Sequence, residues 1–374
     1  MLLELPTVAR VGDSIDRVNT PALLLDLDAF DTNIHQMAKL ARHGGVALRP
    51  HVKAHKSVAI ANAQLAAGAV GICCQKLSEA YPFAIAGIRN IHISNQFVGT
   101  RKIEMVTELA RHVDLSVCVD HPAQVNALGE VARQHDVRIS VLPEVDVGHG
   151  RCGVTDVDAL LGLVDGIAQQ DALRFAGLQA YHGGIQHIPD WQKRRKAALI
   201  SADETAKYLQ ALEARGIHCG IVTGGGTGTA EFDIENGVLT EIQPGSYVFM
   251  DGHYASLGWE GEQQLQRSLL IASTIMSVGH PGKAICDAGL KSVAVDSGMP
   301  SVHHDTRGLR YVAANDEHGI LEIAADDTSG MLGRTVLLVP GHCDPTVNLY
   351  RQIVGFRGTR VECLWDIDAR GLSQ

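Results

Sequence analysis

Apolar positions along this chain fall into short blocked runs that take turns with longer amphipathic stretches. The short runs are bounded by Gly, Pro or Asp and read as buried strands; stretches in which apolar residues recur every three or four positions read as helices. Thr20-Pro21 opens an apolar strand over Ala22 to Leu27, and Asp28 is placed to cap a helix running to about Arg42. Further strands are predicted at 46–52, 69–74, 90–94, 115–119, 138–145, 175–181, 219–223 and 240–248. Helices are predicted near 56–67, 77–86, 100–111, 121–135, 157–169, 190–215 and 229–236. Eight strands with helices between them match a closed (β/α)8 TIM-type barrel, with a doubly wound open sheet as the alternative for the same alternation. Beyond about residue 265 the texture changes. Leu269 to Met276, Lys283 to Asp287, Gly319 to Ile323, Thr335 to Val339, Gln352 to Phe356 and Arg360 to Trp365 are strand-like, with no long helix among them. The expected α/β architecture is therefore a barrel over 28–265 followed by a smaller, mostly β C-terminal domain.

Composition narrows the class without naming a chemistry. The chain has 374 residues, is 45% apolar with 39 glycines, and carries a formal charge of −10. That charge argues against a nucleic-acid or anionic-membrane partner. No apolar run approaches the ~18 residues needed to cross a bilayer. The start, Met1 to Pro6, lacks a charged segment and a long apolar core, so no signal peptide is expected. The eight cysteines form no C-x-x-C pair and no regular framework, which suits reduced core residues of a cytoplasmic protein.

Four junctions concentrate reactive groups. Arg49-Pro50-His51-Val52-Lys53-Ala54-His55-Lys56 follows the run Val46-Ala47-Leu48 and precedes a helix. A lysine at the end of a buried strand is partly desolvated, which predicts a lowered pKa and an amine able to attack a carbonyl. Lys56, three residues on, is expected inside the helix and pointing elsewhere. Thr223-Gly224-Gly225-Gly226-Thr227-Gly228 follows the seventh strand. Such a glycine run lets amides of Gly225, Gly226 and Thr227 converge on a phosphate, with the next helix adding its positive end. Gln243-Pro244-Gly245-Ser246-Tyr247 follows the start of the eighth strand and is placed to close the other side. Gly245 and Ser246 would bring amides and a hydroxyl, and Tyr247 a further donor. Pro340-Gly341-His342-Cys343-Asp344 follows an apolar strand. Two residues apart, His342 and Asp344 are expected on one face with Cys343 turned away. An imidazole plus a carboxylate suits a hard-to-borderline divalent ion such as Mn²⁺, with Mg²⁺ or Co²⁺ as alternatives and waters completing the shell.

These strings together resemble a known family. Val52-Lys53-Ala54 after a strand resembles the cofactor lysine of pyridoxal-phosphate enzymes built on the alanine-racemase barrel. The full string R-P-H-V-K-A-H-K resembles the branch holding D-threonine aldolases, 3-hydroxy-D-aspartate aldolases and D-serine dehydratases. The resemblance runs from Thr20 to Asp368-Ala369-Arg370-Gly371, departing at Asp368, where relatives often have serine. It implies that Lys53 carries pyridoxal 5'-phosphate as a Schiff base and that residues 1–27 join 266–374 as one β-rich domain. It implies that Arg151, within Gly148-His149-Gly150-Arg151-Cys152-Gly153, reaches the cofactor's phenolic oxygen. In Gln179-Ala180-Tyr181-His182-Gly183-Gly184-Ile185-Gln186-His187, it places Tyr181 and His187 at the active centre, with His187 as base. Gln243 stands where racemases have an arginine facing the pyridine nitrogen, so the ring should be a weaker electron sink. His342 with Asp344 resembles the aldolases; a cysteine at 344 would resemble the dehydratases. The implied activity is metal-dependent cleavage of a D-3-hydroxy amino acid to glycine and an aldehyde, by a homodimer. A 3-hydroxy-D-aspartate aldolase or a D-serine dehydratase is the alternative.

Overall fold

The computed structural model describes residues 6–304, 308–323 and 328–374; the first five residues of the expected 1–27 segment lie outside it. The first strand, β1 (Ala22–Asp26), leads directly into a helix over Leu27–His43. Asp26, rather than Asp28, caps that helix, its carboxylate accepting the amides of Asp28 and Ala29. Phe30, Ile34, Met37, Ala38 and Ala41 recur at helical spacing and are buried against the neighbouring elements.

Then come the barrel strands β2 (Ala47–Leu48), β3 (Ile72–Cys74), β4 (Asn90–Ile93), β5 (Asp114–Val119) and β6 (Ile139–Val145). They are followed by β7 (Leu173–Phe175), β8 (Gly177–Ala180), β9 (Ile221–Gly224) and β10 (Glu241–Ile242). All pair in parallel, in the order β2-β10-β9-β8-β6-β5-β4-β3, with β7 against the start of β6. A bridge between His51 and Cys73, with Cys73 N–H donating to the Pro50 carbonyl and Val70 N–H to that of Leu48, joins the two ends into a cylinder. The open-sheet alternative is thereby removed. Two strands are shorter than their apolar runs predict. Pro50 and Pro244 lack the N–H a ladder needs, and each is followed by a single 3₁₀ turn, Val52–Ala54 and Ser246–Val248. Those truncated strands leave loops at the rim where the reactive residues sit.

The remaining strands are β11 (Leu269–Ser277), β12 (Lys283–Cys286), β13 (Ser301–Val302), β14 (Arg310–Ala314), β15 (Gly319–Glu322), β16 (Thr335–Val339), β17 (Gln352–Arg357) and β18 (Arg360–Asp366). They form a second sheet in which β1 lies antiparallel to β11 and parallel to β17. The chain's first strand thus belongs to its last sheet. Strands β13 and β14 were not expected; β13 is only two residues long. A five-residue helix, Cys343–Val347, follows β16. A four-residue one, Gly252–Ala255, touches its start: Gly252 and His253 amides donate to the Pro340 and Gly341 carbonyls.

Candidate active site

The rim loops at the C-terminal ends of the barrel strands enclose a cavity of about 200 Å³. Its walls include Lys53, Arg151, Tyr181, Gly225, Gly226, Thr227, Gln243, Gly245 and Ser246, residues drawn from five separate loops. His51, Ala54, Gln75, Ser94, Gln179 and Tyr254 complete it.

The glycine loop is built from buried polar ties. Gly225 has φ +68, and a Cβ there would stand 2.4 Å from the Asp233 carboxylate, so both the backbone and the space demand glycine. Gln186 clamps the loop from behind: its Oε1 accepts the Gly228 amide and its Nε2 donates to Thr229. Asp233 accepts from the Thr229 hydroxyl and the Gly226 amide, and burial raises its carboxyl to about 7. Thr227 Oγ1 accepts the Tyr247 amide. The amides of Thr227, Gly245 and Ser246, in contrast, find no protein acceptor among the described residues. Three uncommitted N–H groups on a cavity wall fit a phosphate. The helix that follows, Ala230–Glu235, is too short to add a useful dipole, so backbone amides rather than a helix end carry that fit.

Two of the expected cofactor contacts lie elsewhere. The Tyr247 side chain is fully buried, its hydroxyl accepting from Gln64 Nε2 and facing the core. Thr223 does not line the cavity but sits behind Gln243. Its single hydroxyl proton goes to Glu241, which Arg49 also holds at 2.7 Å, so Thr223 can only accept from Gln243 Nε2. The second proton of that amide goes to Gln179. The Gln243 oxygen in turn accepts from Gln179 Nε2 at 3.3 Å, so both ends of the amide are held in place.

Lys53 contradicts the expectation of a lowered pKa. Its Nζ lies 2.8 Å from Asp344 Oδ2, and the carboxylate raises the amine above its ordinary value, outweighing the desolvation that acts the other way. Burial alone would raise Asp344, but the Lys53 ammonium holds it well below the usual carboxylate range. The lysine side chain is 42% exposed and the carboxylate 17%, so the pair sits at the cavity mouth rather than in the core. His51, beside the lysine, is kept neutral by burial and the adjacent ammonium, at about 3.

Arg151 Nη2 stands 3.9 Å from buried Glu144, and its guanidinium lies 5.4 Å from the Tyr181 ring centroid. Tyr181 points inward while His182 turns outward onto His149. His187 lies off the cavity, on the side of His342 and Asp344. Its ring stacks on His253 at 4.0 Å and meets Tyr254 at 4.4 Å. Burial first, then the neighbouring His253 and His342, lowers it to about 4.

His342 and Asp344 are not two positions on an extended strand. His342 precedes the Cys343–Val347 helix and Asp344 lies in its first turn. Asp296 Oδ2, 2.6 Å from His342 Nδ1, takes one ring nitrogen and leaves Nε2 for an external partner, the arrangement that orients metal-ligating histidines. No set of three or more His, Cys, Asp or Glu side chains gathers around a common point among the described residues, so a metal here would draw on two protein ligands. Asp296 and His253 escaped the sequence because nothing near them in the chain marks them, and Gln179 stood in a quoted motif without being given a role; Asp296 lies 46 residues from the histidine it holds.

Residues 25–253 match the family described as alanine racemase, N-terminal domain, and 268–356 the putative serine dehydratase domain. The chain is 46% identical to a D-threonine aldolase of Arthrobacter sp, over 100% of this chain and 98% of that one. It is 37% identical to a 3-hydroxy-D-aspartate aldolase of Paracoccus denitrificans, over 98% and 96%. The crystal structure of D-threonine aldolase from Filomicrobium marinum superposes with a TM-score of 0.96 at 43% identity, covering 98% of this chain and 100% of that one. A D-threo-3-hydroxyaspartate dehydratase follows at 0.85 and 27%, covering 95% and 98%, as a cysteine-to-alanine mutant in the metal-free form.

Proposed function

The chain belongs to the pyridoxal-phosphate family of alanine-racemase-like fold that holds the D-threonine aldolases, and from that premise we propose how its residues work. It is an aldehyde-lyase that cleaves D-3-hydroxy amino acids, D-threonine above all, to glycine and an aldehyde. The observation that carries this reading is the meeting of the two halves at 2.8 Å: the amine of the barrel loop and the carboxylate of the β-domain helix. A cofactor on one and a metal on the other would share a substrate.

Lys53 would hold pyridoxal phosphate covalently, with the amides of Thr227, Gly245 and Ser246 on the phosphate, Arg151 and Tyr181 on the ring's oxygen side, and the neutral Gln243 amide on the side of the ring nitrogen. Pyridoxal phosphate supplies the electron sink for breaking a bond at Cα. His342 Nε2 and Asp344 would hold a divalent ion, Mn²⁺ by the character of that donor set, which would supply the Lewis acidity that eases loss of a hydroxyl proton. His187, neutral because it is lowered to about 4, accepts the hydroxyl proton on its imidazole nitrogen. Gln243 is uncharged and brings no acidic partner to the ring, which favours clean bond cleavage over racemisation.

Among cavity-lining residues only Lys53 and Arg151 are cationic at neutral pH, since His51 is held near 3. Both have partners in this reading, so a second substrate carboxylate would meet no spare cation. That favours D-threonine over 3-hydroxy-D-aspartate. The test is incubation of purified protein with D-threonine, 3-hydroxy-D-aspartate and D-serine, with and without Mn²⁺. Glycine and acetaldehyde from D-threonine support the reading; pyruvate from D-serine as the main product would overturn it.

The same proposal includes a homodimer in the cytoplasm. Exposed Met276, Leu290, Met299 and Leu332 on the β-domain support self-association, and eight free cysteines suit a reducing compartment. No helix among the described residues is long and apolar enough to cross a membrane. Light scattering of the purified protein checks the dimer.

A further inference from the structure

Lys56 was expected in the helix, yet it lies in the link between the Val52–Ala54 3₁₀ turn and the helix that starts at Val58, with φ +54. It is almost wholly buried. A non-glycine residue in the left-handed region and a buried ammonium are both costly, and such costs persist where surrounding contacts demand them. The contacts here join three segments. Lys56 Nζ pairs with Glu79 Oε1 at 3.1 Å and donates to Asn348 Oδ1 at 3.1 Å. Glu79 is itself fixed to the barrel, its Oε2 accepting the amides of Gln75 and Lys76. Asn348 is the C-cap of the Cys343–Val347 helix, and its Oδ1 also accepts the Gly371 amide. The Lys56 carbonyl accepts from Ala369 N–H.

A helix of five residues has little stiffness of its own beyond its two ends. The start is held by Asp251, whose Oδ2 accepts the Cys343 amide at 2.8 Å. The other end is held by Asn348, and through it by a lysine three residues from Lys53. We propose that Lys56 is a positioning residue: through Asn348 it sets the helix bearing Asp344 against the loop bearing Lys53, and thereby sets the affinity for the divalent ion. The inference rests on the reading of His342 and Asp344 as the metal ligands. A space-filling role would need neither the charge nor the shared acceptor.

The test uses full-length holoenzyme and reads three quantities: Mn²⁺ affinity by titration of free ion with electron paramagnetic resonance, bound-cofactor absorbance, and melting temperature. Asn348→Ala leaves the Lys56–Glu79 pair intact, so the barrel keeps its buried charge satisfied. Its Mn²⁺ dissociation constant should rise about tenfold, within the 10–100-fold range for residues that support metal ligands, while cofactor absorbance holds. Asn348→Asp, which still accepts from Lys56, should restore affinity. Lys56→Met should act in the same direction and more strongly. A dissociation constant for Asn348→Ala within about twofold of wild type, or a loss matched by equal loss of cofactor and melting temperature, would overturn the inference. His342→Ala separates the two levels. If it abolishes Mn²⁺ binding while Asn348→Ala changes nothing, only the positioning role fails; if it leaves binding intact, the metal reading falls and takes this role with it.

Discussion

The two halves of the site are built on opposite plans. The glycine loop between β9 and the Ala230–Glu235 helix is locked from behind by Gln186 and Thr229, both buried, and by half-buried Asp233, and leaves bare amides toward the cavity. The Cys343–Val347 helix is little more than one turn, and it depends on side chains borrowed from distant segments: Asp251, Asp296, Lys53 and Lys56. One half is preorganised by ties within the barrel itself. The other takes its place only when two domains are correctly docked. The difference teaches that cofactor binding and metal binding should be separable by mutation, even though a carboxylate of one half touches an amine of the other.

The largest expected effect breaks the cofactor half alone: Lys53→Ala should lose both the visible absorbance and all aldol cleavage, checked by spectrum and glycine release. Next, His342→Ala should keep the absorbance and reduce Mn²⁺-dependent cleavage to background, read by the same two assays. His187→Ala should keep both cofactor and metal and lower kcat by roughly 10²–10⁴-fold, the range for removing a general base. Asp296→Ala sharpens the contrast further. By releasing His342 Nδ1 it should weaken Mn²⁺ about 10–100-fold without touching absorbance, measured by metal titration.

The smallest effect belongs to the glycine loop. Asp233 is raised by burial to about 7, against an ordinary carboxylate value near 4. Between those values the folded protein holds a proton that the unfolded chain has released, so rising pH removes stability across that window. Asp233→Asn keeps an acceptor for Thr229 but cannot ionise. Relative to wild type it should therefore gain melting temperature at pH 8 compared with pH 5.

Much of the barrel was legible because each strand run is apolar and each helix amphipathic; the Trp191–Ala214 and Pro122–Gln134 helices fall within a residue or two of their predicted ends. What local pattern misjudged is instructive. The runs at 46–52 and 240–248 overstate β2 and β10 because hydrophobicity does not register the N–H missing at Pro50 and Pro244. The run into His342 suggested an extended face, whereas Asp344 and Pro345 together are the residues of a helix's first turn, a signal available in the sequence but outweighed by the preceding strand. The sign of the Lys53 shift could not be read at all. It depends on Asp344, 291 residues away, and burial alone argues in the wrong direction. Lys56 shows the same limit, since its partner Asn348 is 292 residues distant.

All of these roles assume that the cofactor is carried at position 53. Borohydride reduction of the purified holoprotein, followed by proteolysis and mass spectrometry, reads that attachment directly. The account predicts a pyridoxyl-phosphate label on the peptide at Lys53 and none on Lys56; a label on Lys56, on another lysine, or on no peptide would contradict it.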